Sequence, residues 1–175
     1  LGTLMSKKFP SDLVFVPLGG TEEIGMNFNL YGLRSDNHED WIIVDLGITF
    51  GDDTMPGVEI VVPDASFAQE KREDLHGIIL THGHEDHLGA IPYLWDQLRC
   101  PVYATPFTAA LLRKKIHENI GKSDCEIIEV PLKGKFDIGP FSVELLSLTH
   151  SMPEPNGLVI RTHFGTIFHT GDWKF

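Results

Sequence analysis

Leu80-Thr81-His82-Gly83-His84-Glu85-Asp86-His87-Leu88 is the stretch on which the reading of this chain turns. Before it, residues 77–80 read as a short apolar strand. After it, residues 88–98 carry apolar side chains at helical spacing, so the histidines sit on a strand-to-helix turn. Such a turn can aim His82, His84, Asp86 and His87 into one pocket, a density of ligating groups with no ordinary structural use. Imidazole nitrogen with carboxylate oxygen suits zinc and, nearly as well, manganese. The expectation is two divalent ions, His82 and His84 on the first, Asp86 and His87 on the second.

Downstream, residues from 135 onward read as β, with runs at 136–138, 141–148, 158–161 and 166–169 punctuated by Gly139-Pro140, Asn156-Gly157 and Gly165. His150 follows one run and Asp172 another, strand-end positions where ligands gather. His150 is assigned to the first ion and Asp172 to a bridge between the two. A metal pair lowers the pKa of a shared water and polarises phosphoryl or carbonyl oxygens, which predicts hydrolysis without a protein nucleophile. Asp86 is the candidate base, as well as a ligand.

Upstream, residues 12–18 read as a strand, and Gly19-Gly20 through Gly25 as a tight loop beside the metals, lacking the spacing of a phosphate loop. Strands follow at 27–33 and 41–45, joined by a polar turn over 34–40. A loop rich in Gly, Asp and Pro leads to a strand over 58–62 and to a helix opened by Pro63-Asp64, with Asp64 as cap, fading near Asp74. Beyond the histidines come a strand at 101–104, a helix at 106–120 closed by Gly121, and a strand at 126–130. Short strands mixed with a few helices indicate an α/β fold with a sheet-on-sheet core flanked by helices.

The chain has 175 residues, 42% of them hydrophobic, enough for one core and one domain or part of one. A net charge of −11 excludes a broadly basic nucleic-acid surface. Lys7-Lys8 and Arg113-Lys114-Lys115 are small basic groups that solvated faces explain about as well as nucleic-acid contact. Two cysteines, Cys100 and Cys125, without a CxxC pair suggest neither a disulfide framework nor a thiolate zinc site, and a cytoplasmic setting is expected. No apolar run approaches the roughly 18 to 20 residues that span a bilayer, so a soluble protein without membrane contact is expected. Residues 1–11 are set aside as a tag remnant and flexible N-terminus. His38, His76, His117, His163 and His169 lack comparable clustering and read as surface or satisfied core histidines, although His169 lies only three residues before Asp172.

Thr81-His82-Gly83-His84-Glu85-Asp86-His87-Leu88-Gly89 resembles the HxHxDH signature of the metallo-β-lactamase superfamily. Asp45-Leu46-Gly47, His150 and Thr170-Gly171-Asp172 resemble its other signatures, in the same order. Leu18-Gly19-Gly20-Thr21-Glu22-Glu23-Ile24-Gly25-Met26-Asn27, Pro63-Asp64 and Thr149-His150-Ser151-Met152-Pro153 are similar to segments of the ribonuclease J family in particular. The resemblance covers residues 12–175 and implies an αββα sandwich. It implies for Asp45 a carboxylate that orients the histidine turn through hydrogen bonds, a plain strand-end cap being the alternative.

The same resemblance implies a full-length β-CASP-type hydrolase of RNA phosphodiester bonds. That enzyme would have endonuclease and 5′-to-3′ exonuclease activity in RNA processing and decay, using a hydroxide that bridges two metals. It implies a homo-oligomer and a possible place in an RNA-degradation complex. It further implies that the chain holds only the N-terminal part of the lactamase domain, without the β-CASP and C-terminal regions and the last ligand histidine. An open sheet edge and weak or absent cleavage by this piece alone are then expected. Two other readings stand beside it: a glyoxalase-II-like thioesterase or lactamase-type hydrolase acting on a carbonyl, and a metal-binding scaffold without turnover.

Overall fold

The computed structural model describes residues 12–35 and 37–174, so the expectation for residues 1–11, Lys7-Lys8 included, lies outside the described residues. β1 (Asp12–Gly19), β2 (Phe28–Ser35) and β3 (His38–Leu46) form an antiparallel meander. β4 (Thr49–Phe50) and β5 (Ile60–Val61) make a pair of only two residues each, where a strand over 58–62 was expected. The pairing is short because the Val58 N–H turns back to the Met55 carbonyl at 3.0 Å and Pro63 has no N–H to offer. α1 (Ser66–Glu70) and a 3-10 turn (Arg72–Asp74) follow. The cap position falls on Ala65, not on Asp64 as expected; the Asp64 carboxylate stands one residue earlier and accepts the Ser66 N–H at 2.8 Å.

β6 (Leu75–Ile79) pairs in parallel with β3, and the chain then makes α2 (Glu85–Leu88) and α3 (Ile91–Leu98). The single helix expected over 88–98 is thus broken at Gly89-Ala90. Pro92 has no N–H for the Leu88 carbonyl, and the Ala90 N–H leaves the helix for the Leu46 carbonyl at 3.0 Å. β7 (Val102–Ala104), α4 (Pro106–Ile120) and β8 (Ile127–Glu129) complete the first sheet, ordered β1-β2-β3-β6-β7-β8 and parallel from β3 onward. β9 (Lys135–Ile138), β10 (Phe141–Ser147), β11 (Asn156–Thr162) and β12 (Gly165–His169) form a second, wholly antiparallel sheet in the order β12-β11-β10-β9.

Strand alternation assigns each face of the first sheet to a different core. Leu30 and Ile43 face the helices, packed in one cluster with Leu88, Ile91, Leu94, Leu98 and Leu112. Tyr31, Ile42 and Val44 face the second sheet, packed with Phe141, Val143, Leu145, Leu158 and Ile160. β3 is therefore buried on both sides from Trp41 to Leu46, which is why its sequence is continuously apolar up to Asp45. The layers run helix, sheet, sheet, and among the described residues no helix covers the outer face of the second sheet.

Strand direction brings the chemistry together. β3 and β6 are parallel with Val44 opposite Ile79, so Asp45 and the Thr81-His82 turn leave the sheet side by side. β10 and β12 both run antiparallel to β11, so their C-terminal ends, leading to His150 and Asp172, lie together at the start of β11. There Asn156 joins the sheets, its N–H and its side-chain amide both donating to the Thr81 carbonyl at 3.1 Å.

Candidate metal centre

Two sets of three donors meet between the sheets. His82, His84 and His150 offer nitrogens within 4.8 Å of one another, and the nitrogens of His82 and His87 lie equally close to a carboxylate oxygen of Asp172. In the first set His84 Nδ1 lies 2.9 Å from His82 Nε2 and 3.2 Å from His150 Nε2. In the second, His87 Nε2 lies 3.5 Å from Asp172 Oδ1, while the other oxygen of that carboxylate is 3.6 Å from His150 Nε2. Asp86 stands at the mouth with Oδ2 also 3.5 Å from His87 Nε2, outside both three-residue sets.

Behind the donors, one buried carboxylate orders the turn. Asp45 leaves β3 in a left-handed step, φ 64°, which Asp tolerates better than most residues. Its Oδ1 accepts the Thr81 N–H at 2.8 Å. Oδ2 accepts the Thr81 hydroxyl and lies 2.8 Å from His87 Nδ1. The Thr81 hydroxyl is also 3.0 Å from His82 Nδ1. With Nδ1 of both rings occupied, Nε2 of each is turned to the donor cluster. The backbone closes the arrangement at Gly47, where a Cβ would stand 1.7 Å from the Asp86 carbonyl oxygen.

The charges suit a cation. Burial works against a charged His87, but the carboxylates of Asp45, Asp172 and Asp86 outweigh it and push the imidazolium up to about 12. Burial, reinforced by His87, brings His82 down to about 4. Burial likewise lowers His84, with His150 adding to the effect. The His87 hydrogen bond holds Asp172 down to about 2 and lowers Asp86. Asp45 resists its own burial because of His87 and stays below the usual carboxylate range. Neutral imidazoles at His82 and His84, ionised carboxylates, and a His87 ring whose proton a cation would replace are together a donor set for a divalent metal. The buried His150 Nδ1 has no hydrogen-bond partner among the described residues, whereas its Nε2 faces the cluster.

The structure brings His82, His84, Asp86, His87, His150, Asp172 and Asp45 to this one place. It also adds residues that the sequence reading carried only inside quoted segments. Asn27 Nδ2 donates to the Asp86 carbonyl at 3.1 Å, lies 3.4 Å from Asp86 Oδ2 and stands 3.1 Å from His87 Nε2. Met152 Sδ accepts the Gly83 N–H at 3.2 Å. His169, read as unclustered, is bonded through Nδ1 to the Tyr31 hydroxyl at 2.9 Å. The run Arg113-Lys114-Lys115 is occupied within the fold: Arg113 pairs with Glu129, Lys114 with Glu118 and Lys115 with Glu85.

Fold and donor set together define a protein of the two-sheet type with a candidate metal centre. Residues 29–175 match the family model described as metallo-beta-lactamase superfamily, and the chain belongs to that superfamily. It is similar to ribonuclease J of Sinorhizobium meliloti, 50% identical over 93% of this chain and 29% of the relative. It is also similar to ribonuclease J of Thermus thermophilus, 36% identical over 94% of this chain and 30% of the relative. The chain thus spans under a third of the length of these curated relatives. Among solved structures, the metallo-beta-lactamase fold protein YhfI from Bacillus subtilis matches with a TM-score of 0.60 and 18% identity, over 92% of this chain and 62% of that one.

Proposed function

We propose that this chain is the metal-binding part of an enzyme that hydrolyses RNA phosphodiester bonds, acting as endonuclease and 5′-to-3′ exonuclease in cytoplasmic RNA processing and decay. The observation that carries the reading is the Asp172 carboxylate, which presents one oxygen to His87 and the other to His150, linking the two donor sets. RNA as substrate is supported by the ribonuclease J relatives. No helix among the described residues is long and apolar enough to cross a membrane, in keeping with a substrate met in solution.

In this reading His82, His84 and His150 hold one ion, and His87 and Asp86 the other, with Asp172 shared. Zn2+ is the first choice and Mn2+ the second. When bound, such a pair supplies the Lewis acidity that ionises water near neutral pH and neutralises charge on phosphoryl oxygens. Asp45 and Thr81 keep the His82 and His87 rings aimed at the cluster. Asp86, ionised and partly open to solvent, takes the proton of the attacking water. The Asn27 amide beside it donates to the Asp86 carbonyl and lies against that carboxylate, which holds it in place. Homo-oligomer formation and membership of an RNA-degradation complex belong to the proposal for the longer protein.

Elemental analysis with a His84→Ala control, followed by assay on 5′-labelled RNA and on a thioester, tests the reading. About two equivalents of zinc or manganese, with RNA cleavage by the longest natural protein that contains this chain, support it. Thioester turnover instead indicates the glyoxalase-like alternative, bound metal without turnover indicates a scaffold, and a folded sample without metal overturns the site.

A further inference from the structure

Asp172 hangs from an edge. β12 pairs only with β11 among the described residues, so the carboxylate that links the two donor sets is carried by the outermost strand of the second sheet. An edge strand is free to shift along its exposed side. At the metal end it is tied to the first sheet by the hydrogen bond between the Tyr31 hydroxyl and His169 Nδ1, 2.9 Å long. Tyr31 is a firm anchor. It lies in the inter-sheet core, 6% exposed, opposite Phe15 and Ile42 in the meander, with its ring stacked on Phe15 at 5.0 Å. Thr170 and Gly171 alone separate His169 from Asp172. Gly171 takes φ 59°, and a Cβ there would come within 2.8 Å of the Asn156 carbonyl oxygen, so this link has little room to absorb a displacement.

We propose that Tyr31 and His169 form a positioning pair, in which the buried hydroxyl holds the end of β12 and so sets the stance of the Asp172 carboxylate toward its ion. This inference rests on the metal reading above and adds to it two residues that touch neither ion nor substrate. It predicts an asymmetry. If the shared Asp172 carboxylate is displaced, the first ion keeps the three imidazoles of His82, His84 and His150, whereas the second keeps only His87 and Asp86. Loosening the pair therefore weakens one metal site far more than the other.

The test is a zinc titration of the metal-free chain in competition with a chromophoric chelator, with a thermal melt of each variant. Tyr31→Phe keeps the ring and its stacking and removes only the hydroxyl. One equivalent should then bind within about twofold of wild type and the other about tenfold or more weaker, the loss typical when a hydrogen-bonding partner behind a metal ligand is removed. The melt of the metal-free protein should move little. His169→Asn, whose amide places an acceptor near the position of Nδ1, should retain most of the weaker equivalent, and His169→Leu should not. Equal weakening of both equivalents together with a lowered melt overturns the proposal in favour of a merely structural role, and unchanged binding in Tyr31→Phe overturns it outright. A wild-type chain that binds no zinc overturns the metal reading itself, and this inference with it, which separates the two failures.

Discussion

The two flanks of the histidine cluster are built differently. His82 and His87 are buried, on the turn after β6 and on α2, with Nδ1 of His82 held by Thr81 and Nδ1 of His87 by Asp45. His84, His150 and Asp172 are partly exposed and come from a turn, a loop and the end of an edge strand. His150 Nδ1 has no hydrogen-bond partner among the described residues. The deep flank is pre-formed by the fold, whereas the outer flank is left for an ion to complete. A site built this way separates stability from metal affinity, and substitutions on the two flanks should have opposite signatures.

The largest effect is expected at Asp45. Asp45→Ala strands a buried His87 and the Thr81 donors, and should cost about 3–5 kcal/mol in urea unfolding, the range for breaking one partner of a buried charge pair. Gly47→Ala comes next, since its Cβ collides with the Asp86 backbone and not with a flexible side chain. A loss of about 1–3 kcal/mol, as for overpacking, together with reduced metal binding, is the expected result. On the outer flank, His150→Ala should change the unfolding energy of the metal-free chain by under about 1 kcal/mol while removing one equivalent of metal. A fall as large as that of Asp45→Ala would break the contrast.

Acid and base should sharpen it. In the metal-free chain His87 is raised from 6.5 to about 12, so its contribution is complete below pH 6.5 and is lost as pH climbs toward the folded value. His82 is lowered from 6.5 to about 4, so the unfolded chain takes up a proton first and stability falls as pH drops through that window. Urea midpoints measured across about pH 4 to 9 should peak near 6.5, and zinc should flatten the alkaline side, because the ion takes the place of the His87 proton. The smallest effect is expected for Lys114→Ala, whose exposed partner Glu118 is 3.7 Å away; a change within about 0.5 kcal/mol is predicted.

Much of the cluster was legible in the sequence because four of its residues fall close together in the chain. His82, His84, Asp86 and His87 need only one turn to converge, and the apolar run from Trp41 to Val44 announced the strand that carries Asp45. Where local signals misled, a long-range bond had prevailed. The helix over 88–98 broke because Ala90 bonds Leu46, forty-four residues earlier in the chain. The basic run on α4 is taken up by ion pairs to Glu85 and Glu129, which lie on other elements. Asn27 carried no periodicity or spacing that marked it, and His169 only its place three residues before Asp172, since each matters through a partner far away in sequence.

The sequence by itself determined that the chain mixes strands and helices, and that a ligand-dense turn joins β6 to α2; where one core was expected, the first sheet separates two. It also determined that His150 and Asp172 stand at strand ends. Only the tertiary structure decided that these ends meet. Parallel β3 and β6 set Asp45 beside Thr81, and two antiparallel steps across β11 return β12 to the same end as β10. The physical reason is that strand order and direction are fixed by which apolar faces bury together over the whole sheet, a sum over distant residues that no local pattern records.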